Sequence, residues 1–146
     1  MATKTIGFWP GVSLEQLPTI AKTIWSLLPV PCFVALEAEM GCGKTTLVRA
    51  LLDVAAVAHF EGSPTFALIQ PYDSPNKGTV YHLDCYRIEN EHEIHNLGLE
   101  ELFDENAYFL VEWPQKIESI IPNPHFRLYL RIEPDQSREI TLRYDN

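Results

Sequence analysis

Between residues 38 and 45 the chain runs Ala38-Glu39-Met40-Gly41-Cys42-Gly43-Lys44-Thr45, ending in the Gly-Lys-Thr of a phosphate-binding loop. It departs from the strict G-x-x-x-x-G-K-[ST] pattern in the alanine at its first position. Each residue type has a task. Gly41 and Gly43 let the backbone curl so that successive N–H groups converge on one concavity, and a helix starting there offers the positive end of its dipole to the same anion. Lys44 would set a point charge on the β- and γ-phosphates of a nucleotide, and the Thr45 hydroxyl would complete the shell of a Mg²⁺ ion that keeps several waters.

Such a loop needs a carboxylate across the site, usually at the end of a neighbouring buried strand. Glu112 terminates Ala107 to Val111 and has the placement of a metal-holding acid, while Asp84 ends Val80 to Leu83 and is the second candidate. Either also reads as a surface acid closing a strand; the loop shifts both toward function, Glu112 more than Asp84. Cys42 has two readings as well. Converging N–H groups, a helix N-terminus and Lys44 would lower its pKa and make a reactive thiolate, or the cysteine stands in for alanine and points into packing behind the loop. His82 and His95 read as structural or surface residues because no second His or Cys lies at a ligand spacing. Trp9 and Trp25 read as core or rim. Asn76-Lys77-Gly78-Thr79 begins like a guanine-reading motif but lacks its acid, and the acidic run Glu89 to Glu93 reads as a solvated helix start or a docking face.

The elements that must hold these residues follow from periodicity. Leu14 to Leu28 has the three-and-four apolar spacing of a helix, with Ser13 and Gln16 as a capping box and Pro29 and Pro31 as its stop. Cys32 to Leu36 is a strand before the loop, and Thr45 to Val57 a helix after it, which is the setting the motif requires. Thr65 to Gln70 and Thr79 to Leu83 are strands of a hairpin or edge pair around the turn-rich Pro71 to Gly78. Glu91 to Phe103 is helical with Gly98 as a weak point, and with the buried strand Ala107 to Val111 it can form a crossover unit. Gln115 to Ile121 makes a short helix, and Arg127 to Ile132 and Glu139 to Tyr144 alternate as antiparallel strands. The expected architecture is a single α/β domain of phosphate-loop NTPase type: a mixed central sheet, helices on both faces and an antiparallel margin.

Composition narrows the function classes. A chain of 146 residues has the size of one domain, spanning residues 1–146, with little room for a separate substrate module. Its 11 basic and 20 acidic residues give a net charge of −9, which argues against gripping nucleic acid or an anionic membrane by the general surface. No run of about 18 apolar residues and no secretory leader is visible, so the expected location is cytoplasmic. Cys32, Cys42 and Cys85 are widely spaced without a CxxC pair, and point to reduced thiols.

Five ordered blocks together resemble the bacterial TsaE (YjeE) family. They are residues 39–49 (EMGCGKTTLVR), 63–66 (SPTF), 82–87 (HLDCYR), 97–99 (LGL) and 111–114 (VEWP). The likeness runs from about Leu14 to Tyr144. The loop alone is common; the combination of SPTF, HxDxYR and VEW is far more specific. The resemblance implies a Mg²⁺-dependent ATPase, weak alone, that serves threonylcarbamoyladenosine modification of tRNA. It would work with a threonylcarbamoyltransferase subunit and its paralogue, of TsaD and TsaB type, which carry out the chemistry, so that tRNA is met only indirectly. Position by position, it implies that Gly41, Cys42, Gly43, Lys44, Thr45 and Thr46 bind phosphates, with Glu39 and Met40 in the same loop. It further implies that Thr45 and Glu112 hold Mg²⁺, that Asp84 lies by the γ-phosphate and positions water or a metal-bound water, and that Thr65 belongs to a switch-like loop. Trp113 would lie near the nucleotide and Arg138 would touch it. Three positions depart from the family: Ala38 replaces the first loop glycine, Cys42 an alanine, and Leu17 a threonine that meets the nucleotide. Two other classes fit a phosphate loop: a small-molecule kinase, for which no arginine-rich lid is visible, and a binding module in which ATP only orders partner-facing loops. Hydrolysis in the assembled complex separates the last from an ATPase.

Overall fold

The computed structural model describes residues 3–39, 41–58, 60 and 68–146. Seven strands form one mixed sheet in the order β1-β7-β6-β2-β5-β4-β3. The two most apolar runs lie at its centre: β2 (Cys32–Ala38) pairs in parallel with β5 (Tyr108–Glu112) on one side and β6 (His125–Ile132) on the other. Strands covered on both faces read as near-continuous apolar runs, and every residue of β5 is buried, its terminal Glu112 included. Next to β5, and parallel to it, runs β4 (Gly78–Asp84), and β3 (Ile69–Ser74) closes that edge as an antiparallel hairpin partner. On the far side β7 (Arg138–Asp145) is antiparallel to β6, and β1 (Thr3–Val12) to β7. The expected hairpin or edge pair and the expected antiparallel margin thus lie at opposite ends of the sheet.

Period-two alternation divides the core. Val34, Leu36, Leu110, Leu128 and Ile140 face a cluster built from α1 (Leu17–Leu27) and α2 (Lys44–Val54). Phe33, Ala35, Phe109 and Val111 face the opposite cluster, which holds Ile94 of α3 (Glu91–Leu97), Leu99 of α4 (Leu99–Leu102) and Ile117 of a 3-10 segment, Pro114–Ile120. α1 is entered through a 3-10 turn, Leu14–Gln16, where the Gln16 side chain accepts the Ser13 N–H at 2.9 Å. Trp25 ties α1 to α2, its buried Nε1–H donating to the Leu51 carbonyl at 2.8 Å.

Besides shifts of two or three residues at α1, β2 and β6 and the 3-10 form of the short helix expected over 115–121, four features differ from the sequence expectation. β1 was not foreseen, because Gly7, Pro10 and Gly11 disguise it. It lies at the end of the strand order, where a proline costs no ladder bond to a further neighbour, and its pairing with β7 shifts register twice, between Thr5 and Gly7 and between Trp9 and Val12. Pro71 belongs to β3 rather than to a turn, tolerated for the same edge reason; of the expected strand Thr65 to Gln70, residues 65–67 lie outside the described residues. α2 ends at Val54 instead of Val57, where Ala56 turns left-handed (φ 57°). The expected helix Glu91 to Phe103 is two, because Gly98 (φ 68°) caps α3 and starts α4.

Candidate functional site

The glycine turn joins the carboxyl end of β2 to α2. β2 lies where the chain switches sides of the sheet, the place at which open α/β sheets leave a crevice beyond their strand ends. Gly41 (φ 77°) and Gly43 (φ 95°) are both left-handed, a conformation that side chains resist, and among the described residues, chain neighbours aside, no atom lies within 4 Å of where a Gly41 Cβ would stand. The first bond of the α2 ladder runs from Leu47 N–H to the Gly43 carbonyl at 3.0 Å, so the N–H groups of the first turn face the loop. Ala38 ends β2 in register with Leu130 without a positive φ, which is how alanine is accepted where the strict pattern has glycine. A cavity of about 330 Å³ opens here, lined by Ala38, Glu39, Gly41, Gly43, Lys44, Thr45 and Trp113.

Two neighbouring strands deliver the acids. Asp84 and Glu112 are register partners at the ends of β4 and β5, and both project to the face that α2 covers. Glu112 is 3% exposed, and its Oε1 lies 3.4 Å from Lys44 Nζ. Its Oε2 is 2.5 Å from Nε2 of His82, which is fully buried. Asp84 is half-buried and accepts the Tyr86 N–H at 3.1 Å. Burial pushes its carboxyl above the usual range and the Glu112 charge adds to the rise, while the Tyr86 N–H and the Lys44 charge oppose it. The candidate metal pair, Thr45 and Glu112, offers a hydroxyl and a carboxylate. That donor set suits Mg²⁺, which takes one or two protein oxygens and fills its shell with phosphate oxygens and water.

Aromatic residues wall the site. Trp113 follows Glu112 in a left-handed conformation (φ 56°), which turns its ring over Lys44, 5.3 Å from Nζ. Tyr86 packs on the other part of that ring at 4.8 Å between centroids. Arg138 reaches across from β7: its Nε–H donates to the Cys42 carbonyl at 2.6 Å and its Nη1 to the Gln136 carbonyl at 2.5 Å. The guanidinium therefore holds the loop backbone.

The structure thus brings Glu39, Gly41, Gly43, Lys44, Thr45 and Trp113 to one crevice and sets Glu112 beside Lys44 with Asp84 as its register partner, with Thr46 in the first turn of α2 and Arg138 bracing the loop. Met40 and Thr65, with the SPTF block, lie outside the described residues. Cys42 does not support a reactive thiolate. The residue is 1% exposed, Sγ points to the Leu130 carbonyl at 3.7 Å, and burial raises the thiol pKa against the lowering by its backbone bond, Lys44 and Arg138. Its N–H is spent on the Glu39 carbonyl at 3.2 Å, so the residue shapes the loop instead of lining it. Leu17 is a buried core residue of α1. Sequence reasoning takes His82 as structural or surface and gives Tyr86 no role; a signal for His82 is its spacing of two from Asp84 in a strand, which sets both on one face.

Fold and loop together define the class: an α/β domain in which a glycine turn joins the central parallel strand to a helix, with two strand-end carboxylates opposite. Residues 12–140 match the family model described as threonylcarbamoyl adenosine biosynthesis protein TsaE. The chain is 34% identical over 135 residues to the tRNA threonylcarbamoyladenosine biosynthesis protein TsaE of Bacillus subtilis, covering 91% of this chain and 82% of that protein. It is also 34% identical over 132 residues to the protein of the same name from Rickettsia bellii, covering 86% and 87%. The crystal structure of Bacillus subtilis YdiB superposes with a TM-score of 0.80 at 26% identity, over 100% of this chain and 89% of that one. The chain belongs to the TsaE family of tRNA threonylcarbamoyladenosine biosynthesis. Among the described residues no helix is long and apolar enough to cross a membrane.

Proposed function

We propose that this chain is a Mg²⁺-dependent ATP hydrolase of the phosphate-loop NTPase type, which supports threonylcarbamoyladenosine formation on tRNA from the cytoplasm. It does so in complex with a threonylcarbamoyltransferase subunit and its paralogue. One observation carries the reading: Lys44, at the mouth of the glycine turn, lies 3.4 Å from the buried Glu112, whose register partner is Asp84. In this reading the loop N–H groups and Lys44 bind the β- and γ-phosphates, and Thr45 and Glu112 hold the cation. Bound Mg²⁺ supplies charge neutralisation to the phosphate oxygens. Asp84, half-buried beside Glu112, positions the attacking water or a metal-bound water. Trp113 covers the Lys44 side of the nucleotide, and Thr65 acts from a switch-like loop. With a net charge of −9, tRNA is engaged through the partners.

Hydrolysis in the assembled complex tests the reading. Lys44→Ala is expected to abolish most ATP affinity or turnover with the fold intact, because a partly exposed lysine contributes little to stability. A parental rate would remove the loop from catalysis. Glu112→Ala should raise the Mg²⁺ requirement and Asp84→Ala chiefly lower turnover, so identical metal dependence in parent and Glu112→Ala would take Glu112 out of the metal shell.

A further inference from the structure

We propose that His82 is a positioning residue for Glu112: its Nε2–H holds one carboxylate oxygen, Oε2, so that the other, Oε1, is the one presented to Lys44 and the cation. The inference rests on the reading of Glu112 as a metal-holding acid. Its observations are independent of that reading.

His82 is fully buried, with Nε2 at 2.5 Å from Oε2, and Lys44 Nζ lies 3.4 Å from Oε1. The two oxygens of a carboxylate are otherwise equivalent, since the terminal torsion of a glutamate is broad. An ionised carboxylate accepts only, so the imidazole nitrogen facing it is the donor. The ring is itself held: it projects from β4 two residues before Asp84, and the Phe60 ring stacks on it at 6.5 Å between centroids and 28° between planes. Nδ1 is buried and has no hydrogen-bond partner among the described residues. A leucine would fill this core position without leaving a polar atom unpaired, so packing does not account for an imidazole here. Its one polar contact among the described residues is with Glu112. Hydrogen bonds to a ligating carboxylate from outside the metal shell commonly matter by 10- to 100-fold in metal affinity.

Three variants separate positioning from packing. His82→Leu removes the donor, His82→Gln places an amide N–H at the reach of Nε2, and His82→Asn reaches only as far as Nδ1. ATP binding is measured by calorimetry in EDTA and across a Mg²⁺ titration, with Mn²⁺ binding followed by electron paramagnetic resonance as a readout free of turnover. His82→Leu is expected to need about 10- to 100-fold more Mg²⁺ for half-maximal tightening while metal-free ATP affinity stays parental. His82→Gln should recover most of the loss and His82→Asn little of it; this pair carries the test should His82→Leu fail to fold. Parental metal dependence in His82→Leu overturns the proposal, as does an equal loss of metal-free and metal-bound affinity, or a His82→Gln no better than His82→Asn. Glu112→Ala is run alongside. If it too has parental metal dependence, the reading of Glu112 fails and His82 falls with it. If it responds and His82→Leu does not, only the positioning role is wrong.

Discussion

Arg138 offers the sharpest test of how the loop is held, because it binds the loop through one backbone atom, the Cys42 carbonyl, from 96 residues away in sequence. Its second bond, to the Gln136 carbonyl, is local to its own strand end and fixes the guanidinium without touching the loop. Truncation to alanine therefore removes one charge-assisted bond from the loop, worth about 1.5–3 kcal/mol at a partly buried position. If the ordered loop is the binding-competent one, that energy must be supplied by the ligand. At 1.4 kcal/mol per factor of ten, MgATP affinity should fall by about 10- to 150-fold. Arg138→Lys discriminates a brace from a simple charge: lysine keeps the positive charge but cannot donate from two fixed nitrogens at once. A brace predicts that both variants lose affinity. A residue acting on the nucleotide by charge alone predicts that lysine retains it. Calorimetric titration of MgATP into parent, Arg138→Ala and Arg138→Lys reads the difference. An Arg138→Ala within about twofold of the parent, a difference of only about 0.4 kcal/mol, would refute the reasoning.

Two further outcomes follow from the core. Trp25→Phe should cost about 1–3 kcal/mol in urea unfolding, from the lost Leu51 bond and ring volume, and toward the low end because Ala55 N–H also bonds that carbonyl at 3.1 Å; a midpoint equal to the parent's would contradict it. All three thiols are buried, and burial raises Cys32 and Cys85 from 9.0 to about 12. Native protein should therefore resist alkylation at each, Cys42 included, and label fully in denaturant. The folded thiols hold protons that the unfolded chain releases, so stability is full below pH 9 and declines as pH rises from 9 toward 12. Tyr108 is raised in the same direction, by burial and then by Cys32, so the difference in slope between parent and a Cys32→Ala, Cys85→Ala double variant reads the thiols together with the share of the Tyr108 shift that Cys32 causes; no difference would rule the thiol contribution out.

The phosphate loop was legible because its residues are contiguous and its strand and helix carry their own periodicities. Glu112 and Asp84 were legible one at a time, as the acids that end apolar runs; that they are register partners on one face needed the pairing of β4 with β5. His82 reads correctly as a structural residue, buried and no metal ligand, but its contact with Glu112 is not legible, because a histidine in an apolar strand has the same pattern whatever its ring meets. Arg138 was found as a basic position, but its bond to the Cys42 carbonyl joins opposite ends of the chain, a contact no local pattern encodes. Cys42 went the other way. Its neighbours argue for a lowered pKa, and only the direction of the side chain, toward Leu130, lets desolvation win.

β1 has one more consequence. As the last strand in the order, it carries a margin that a second molecule could extend, and ten residues of open strand are enough to template such growth. Its register breaks twist the ladder twice, and Pro10 has no N–H to offer, so an incoming strand would meet neither a straight edge nor a continuous row of donors. The irregularities that hide this strand from sequence reading also make its edge a poorer template for an added strand.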